Sequence, residues 1–453
     1  METLRTSSYM IPVKLENEKG KYILVHGYTG AIDIVSEDLL NRIRNVSSAI
    51  DFSEKTKQAL LKRGYITAKT PEEEYAYVMR MAKALHRECD ILSTSFTWII
   101  SYNCNFRCPY CFEGKEMKDG KEKLVFTKEQ VDMVYEAQDK IQPCRELRKN
   151  IITLYGGEPL LAENKEIVSY IVEEGRKRGY KFVAVTNGYE IEHFLNLLGE
   201  DGIYRLQITI DGPRNMHNQR RIHYEGYDTF DKIVENIKLA LDCGTRVVVR
   251  MNSDGKNIEQ YDELREYFAQ KKYFDNPNFS IYLARLRDYY DISLSENQKV
   301  DFLSPQSFKA KRNGLKAIPF SQDTGYYKIV YESLVEKRAM PFRPVACKSQ
   351  SGEYVFDSLG NIYPCWEVIG KKEYIKGVYS KDGISWKENN WKQLDVTQIE
   401  SCRHCKYALF CGGGCPYHRM LNQGNLQCVI FKDMFNSAIN KAYADLNNNY
   451  LKF

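Results

Sequence analysis

The sequence predicts an α/β protein: a partial (β/α)6 barrel over residues 91–310, a small α+β unit over 1–90 before it and a cysteine-rich region after it. Three observations carry this prediction. Between residue 95 and about residue 290, six short apolar segments rich in β-branched and aromatic residues alternate with helix-like segments, the texture of a parallel sheet built from βα units. Polar and glycine signals (CNFRCPYC, GGEP, TNG and DGP) each follow one of those strands, where the catalytic loops of such barrels lie. Finally, ten of the 13 cysteines fall in two groups, at 104–111 and 347–428.

Taken in order, MIPVKL, KYILVHG and AIDIVS are short β-like runs separated by the turn-rich NEKG and GYTG. SEDLLNRIRNV has helical apolar spacing with Ser36 as N-cap. FSEKTKQALLKRG predicts a second helix closed by Gly64. A third begins at Thr70 as cap with Pro71 in its first turn. The barrel strands are FTWIISYN, NIITLYGGE, KFVAVTNG, YRLQITIDG, TRVVVRMN and FSIYLARL, with helices such as EIVSYIVEEGRKRG and TFDKIVENIKLALDCG between them. Residues 311–345 read as a helical connector. From 346 to 453 periodicity is weak, and bound metal is expected to stand in for a large core.

With 453 residues and 43% hydrophobic content, the chain can form two or three domains with real cores. Sixty-five basic residues against 60 acidic ones leave a net charge of +5, with the two signs interspersed. That pattern argues against a nucleic-acid partner. METLRTSSYMIPVKLENEKGKY lacks the apolar core of a signal peptide, and no apolar run reaches membrane-spanning length. The expectation is a soluble cytoplasmic protein with no membrane partner. Thiols stay reduced in that compartment, so clustered cysteines point to metal or to chemistry. Cys89, Cys144 and Cys243 stand apart and read as ordinary buried thiols.

Cys104, Cys108 and Cys111 form a C-x3-C-x2-C loop directly after the first barrel strand. Three thiolates can hold three irons of a four-iron cluster and leave the fourth open; a zinc loop is the plainer alternative. With Tyr110 before the last cysteine, this motif resembles the radical S-adenosylmethionine (SAM) enzymes. The resemblance implies a radical SAM barrel whose open iron chelates the amino and carboxylate groups of SAM. It further implies reductive cleavage of SAM to a 5′-deoxyadenosyl radical that removes a substrate hydrogen. Gly156, Gly157 and Glu158, in GGEP, look like the family's segment for the methionine ammonium; glycines permit close backbone approach, and a carboxylate suits an ammonium. TIDGPRNMHNQRR resembles the family's strand-end segment, implying SAM contacts for Thr209 and Arg221, the latter through its bidentate fork. Arg220 stands beside it as an equal arginine. Thr186, Asn187 and Asn252 are further cofactor candidates by strand-end position.

In the tail, Cys347-x12-Gly360-x4-Cys365 is followed by Cys402-x2-Cys405-x5-Cys411-x3-Cys415-x12-Cys428. These spacings resemble the SPASM extension of peptide-modifying radical SAM enzymes, with a shorter final gap, and a zinc ribbon is the alternative. The resemblance implies two auxiliary clusters, three [4Fe-4S] clusters in all. Cys402, Cys405, Cys411 and Cys428 would close the distal one; Cys347, Cys365 and Cys415 would hold the proximal one. Some relatives take a fourth proximal ligand six residues after the first tail cysteine, here Glu353. The proximal cluster is otherwise expected to keep an open iron that suits a soft substrate sulfur.

Sulfatase maturases carry an aspartate after the second tail cysteine; Trp366 stands here instead. The N-terminal unit resembles the PqqD-like, winged-helix-like elements that bind leader peptides of ribosomally made natural products (RiPPs), which can add a strand to a sheet edge. Together these resemblances imply a peptide maturase similar to the sactipeptide and ranthipeptide thioether synthases. Its partners would be a Cys-containing precursor peptide with leader and an external electron donor such as flavodoxin or ferredoxin. Carbon–carbon crosslinking, sulfatase-type maturation and a non-catalytic iron–sulfur carrier are the alternatives. No catalytic base is singled out.

Overall fold

The computed structural model describes residues 3–46, 52–113, 125–287, 300–316, 324–389, 391, 394–421 and 424–450. The chain opens with β1 (Arg5–Thr6), β2 (Met10–Lys14), β3 (Lys21–His26), β4 (Ile32–Ser36), α1 (Glu37–Arg44), α2 (Glu54–Arg63), β5 (Ile66–Thr67) and α3 (Pro71–Leu92). Strands β2, β3 and β4 form an antiparallel sheet, and β1 pairs with β5. The caps follow the sequence signals. Ser36 accepts from Leu39 N, and Gly64 closes α2 at φ 88°. Thr70 and Glu73 exchange hydrogen bonds across the start of α3.

The barrel follows: β6 (Thr94–Ser101), α4 (Lys128–Ile141), β7 (Arg148–Gly156), α5 (Lys165–Lys177), β8 (Lys181–Thr186), β9 (Ile203–Thr209), α6 (Arg214–Arg220), α7 (Phe230–Asp242), β10 (Arg246–Ser253), α8 (Tyr261–Gln270), β11 (Phe279–Arg285) and α9 (Pro305–Asn313). Strands β6 to β11 are parallel and in sequence order. Alternation divides each strand. Trp98, Leu154, Leu206, Val249 and Leu283 join one core with Val134, Ile171, Ile237 and Leu264 of the helices. The opposite faces carry Thr97, Thr153, Thr209, Arg250 and Asn252. This polar inner face is what distinguishes the barrel from a packed one.

Next come α10 (Thr324–Val335), β12 (Glu353–Asp357), β13 (Asn361–Tyr363), β14 (Gly377–Ser380), β15 (Gly383–Trp386), α11 (Glu400–Arg403), α12 (Ala408–Cys411), α13 (Pro416–Met420) and α14 (Gly424–Tyr450). Strand β12 pairs in parallel with β6, and β13 to β15 continue the sheet antiparallel, giving ten strands. The chain divides into two compact units: residues 1–92, 322–352 and 390–453 form one, and 93–321 with 353–389 the other.

The tail is therefore more ordered than its composition suggests. Phe356, Ile362 and Tyr379 belong to the barrel core. Phe410, Phe431, Phe435, Ile439 and Ala442 pack with Tyr326 and Val330 of α10 over the Ile11, Val13, Ile23 and Val25 face of the N-terminal sheet. Its other face, with Met10, Leu24 and Val35, is covered by Leu40, Ile43 and Leu60. Metal is not a substitute for a core here, because the helical spacing of the α14 apolar residues supplies one. The isolated thiols also differ from expectation: Cys89 and Cys243 are only partly buried and Cys144 is exposed, its Sγ donating to Glu146 Oε2 at 3.1 Å.

Candidate functional site

Four strand ends of the barrel unit converge around the first cysteine loop. The GG doublet is required by packing. A Cβ on Gly157 would lie 2.2 Å from Asn103 O, and Gly156 has φ 103° with its own Cβ position 2.7 Å from Ser101 O. The glycines thus let β7 close against the chain that leads into Cys104. Glu158 N then donates to Asn103 O at 2.8 Å, fixing the two loops together.

Glu158 is buried, and its carboxylate accepts from Thr186 Oγ1 (2.5 Å), Asn187 N (2.5 Å) and Leu160 N (2.9 Å). Burial pushes its pKa up to about 7 against those donors. Thr186 and Asn187 are engaged within this brace, since the Asn187 amide also donates to Asn105 Oδ1 at 2.6 Å. The carboxylate therefore joins the loops after β7 and β8, and its remaining acceptor capacity is small.

A second network anchors the loop from the other side. Tyr110 donates to Asp211 Oδ2 and accepts from Arg221 Nη1 at 3.3 Å. The two arginines separate clearly. Arg220 pairs with Asp254 (2.9 Å) and Asp211 (3.5 Å), both fully buried. Arg221 faces Cys108 electrostatically, and its buried Nε has no hydrogen-bond partner among the described residues. The same holds for Asn252 Oδ1. Thr209 ends β9 on the inner face, beside Arg250 in register. Asp211, Asn105 and Glu113 are site residues that motif reading passes over. The DGP segment was the available signal for Asp211; none marked Glu113, whose buried carboxyl is pushed up to about 8 by burial and has an unpartnered Oε2.

Burial raises all three thiols, with Glu158 adding to the rise at Cys104, and Glu113 adding to it at Cys111, which reaches about 12. Such thiols become thiolates only when a metal centre holds them. Among the described residues no three thiols converge within 4.8 Å, the closeness a single ion demands. The three thiols act on one another electrostatically, and the unpartnered Arg221 Nε and Asn252 Oδ1 suit a polar ligand beside a cluster those thiols would hold.

In the other unit, Cys402, Cys405, Cys411 and Cys428 lie together, each interacting with others of the set. Cys402 ends up on α11, Cys411 ends α12, and Gly412, Gly413 and Gly414 all take left-handed φ of 64°, 87° and 80° to swing the chain toward Cys415. A Cβ on Gly412 would lie 2.2 Å from Ala346 N, next to Cys347. Cys347 opens the turn Lys348–Gln350 and Cys415 precedes α13 in this same unit. Cys365 belongs to the barrel unit, where Glu367 N donates to its Sγ at 3.4 Å. Glu353 is on β12 with both carboxylate oxygens engaged, one by Ser95 Oγ and the other by Thr97 Oγ1 at 2.8 Å. Trp366 is 40% exposed, its ring 6.1 Å from that of Tyr155.

Residues 98–268 match the family model of the Radical SAM superfamily. A cysteine-type anaerobic sulfatase-maturating enzyme of Clostridium novyi (strain NT) is 23% identical over 370 residues, covering 75% of this chain and 94% of that one. A GTP 3',8-cyclase of Campylobacter fetus subsp. fetus (strain 82-40) is 26% identical over 211 residues, covering 45% and 61%. Among solved structures, native anSMEcpe with bound AdoMet and Kp18Cys peptide superposes with a TM-score of 0.58 at 20% identity, covering 79% of this chain and 99% of that one. The fold is the radical SAM partial barrel with a cysteine-rich C-terminal region.

Proposed function

We propose that this chain, whose residues 98–268 form a radical SAM domain, joins a cysteine sulfur to a carbon within a ribosomally made precursor peptide. In this reading Cys104, Cys108 and Cys111 hold the SAM-binding cluster. Arg221 and Asn252, with Thr209, take the polar groups of SAM, and Tyr110 and Asp211 keep Arg221 oriented. Gly156, Gly157, Glu158, Thr186 and Asn187 brace the loops that carry them. When bound, SAM and its reduced four-iron cluster supply a 5′-deoxyadenosyl radical that removes a substrate hydrogen atom. Net, the peptide loses one hydrogen atom from carbon and one proton from the thiol, and gives up one electron as the carbon–sulfur bond forms.

The observation that carries the thioether reading is the engagement of Glu353 by Ser95 and Thr97. Each of its carboxylate oxygens already accepts from a hydroxyl of β6, which ties the side chain to the sheet. In this reading Cys347, Cys365 and Cys415 would hold the proximal cluster, which keeps an open position suited to a soft substrate sulfur. For the leader, β4 is the better edge of the N-terminal sheet. Lys406 and Asn440 cap the Met10 and Lys14 carbonyls of β2 at 3.2 Å each, whereas Ile34 of β4 is exposed.

Sulfatase-type maturation is the second reading, favoured by the matched sulfatase-maturating enzymes. Trp366 speaks against it, since an exposed indole over Tyr155 offers no carboxylate base. The test is anaerobic incubation of reconstituted protein with SAM, reductant (flavodoxin or ferredoxin as physiological type) and a short Cys-rich peptide encoded beside its gene. Loss of two hydrogens with one thiol lost to alkylation supports thioether formation. The same mass with all thiols retained means a carbon–carbon crosslink. Conversion of a sulfatase peptide instead would establish the second reading, and absence of deoxyadenosine would leave an electron carrier.

A further inference from the structure

The four distal thiols meet cations that the reaction above does not use. Arg419 of α13 reaches between two of them, its Nη2 lying 3.9 Å from Cys402 Sγ and 3.9 Å from Cys428 Sγ. Its Nε donates to Gly413 O, inside the left-handed glycine run, so the guanidinium is fixed in place rather than free in solvent. Lys432 and Lys406 both favour the Cys405 thiolate electrostatically, and Lys406 is itself tied to Met10 O.

We propose that Arg419 is an electrostatic positioning residue for the distal cluster, raising its reduction potential by holding a fixed positive charge and an N–H donor on two of its four sulfurs. The physical reason is that reduction adds a negative charge to the cluster, and a nearby cation or sulfur hydrogen bond stabilises that added charge. Lys432 and Lys406 act in the same direction with weaker leverage. The inference rests on the reading of Cys402, Cys405, Cys411 and Cys428 as ligands of a four-iron cluster.

The experiment is an EPR-monitored redox titration of the anaerobically reconstituted full chain, in a background where Cys104, Cys108 and Cys111 are all alanine, with iron content measured alongside. Arg419→Gln keeps a hydrogen-bond donor and removes the charge. Its expected effect is a fall of about tenfold in the equilibrium constant for one-electron reduction, which is about 59 mV. Arg419→Lys restores most of the shift. Arg419→Gln that keeps its iron and its midpoint unmoved overturns the inference. Should that variant fail to hold iron, Lys432→Gln at an exposed position decides by the same sign: a lower midpoint supports the inference and an unchanged one overturns it. Failure of the ligand reading looks different, because Cys402→Ala and Cys428→Ala would then leave the iron content at its starting value.

Discussion

The first cysteine set comes from one short loop at a strand end and meets both signs: Arg221, Arg220 and Asp211 at Cys108, Glu158 at Cys104 and Glu113 at Cys111. The second is gathered from α11, the turn after it, α12 and α14, and its charged neighbours include Arg419, Lys432 and Lys406. Three thiolates leave a metal position open, while four close it. Around the first set the two signs offset one another, whereas cations beside the second favour adding an electron. The contrast suits a tail centre that is more easily reduced than the one in the barrel. A shared device serves both regions: a glycine without Cβ admits main chain beside a cysteine, Asn103 before Cys104 at Gly157, and Ala346 before Cys347 at Gly412, itself next to Cys411.

Single cysteine replacements should separate the sets most sharply. Cys108→Ala is expected to abolish deoxyadenosine formation and to remove about one third of the bound iron, as one of three clusters. Cys405→Ala should remove a comparable share and leave SAM cleavage in place; iron assay with product chromatography checks both. The arginine pair comes next. Arg220→Ala leaves Asp211 and Asp254 buried without their cation, at a cost of about 3–5 kcal/mol read by denaturant unfolding. Arg221→Ala should spare stability and weaken SAM binding by about 1.5–3 kcal/mol, measured by calorimetry.

Gly157→Ala and Gly412→Ala should each cost about 1–3 kcal/mol through the clashes that the added methyl makes. Each should also impair loading of its own set while the other set retains its iron. The smallest effect lies beside the second set, where His86 pairs with Asp395 at 3.2 Å. The Asp395 hydrogen bond raises the His86 pKa above its ordinary value of 6.5. The resulting stability is fully present below pH 6.5 and is lost as pH rises through the folded-state pKa. Melting between about pH 6 and pH 8 should therefore fall more steeply for the native chain than for His86→Gln.

Local signals were read well from sequence because they depend on neighbours in the chain. All six barrel strands, the Ser36 and Thr70 caps and the left-handed Gly64 stop follow from residues within a few positions. Partnerships set by register were not legible. Glu353 faces Ser95 only because β12 adds to the free edge of β6, and nothing in EYVFD announces that edge. Arg220 and Arg221 are equal in sequence, yet α6 ends between them, giving the first to Asp254 and leaving the second toward Cys108. The α14 core was legible in its apolar spacing, and the cysteines around it drew the reading toward metal instead.

The most direct test of the contrast between an open and a closed site is the EPR spectrum of the reduced, reconstituted protein recorded before and after adding SAM. The account predicts that SAM alters one cluster signal, that this signal is missing when Cys104, Cys108 and Cys111 are all alanine, and that the signal lost in Cys405→Ala does not respond to SAM. A SAM response that survives loss of the first three cysteines would contradict it.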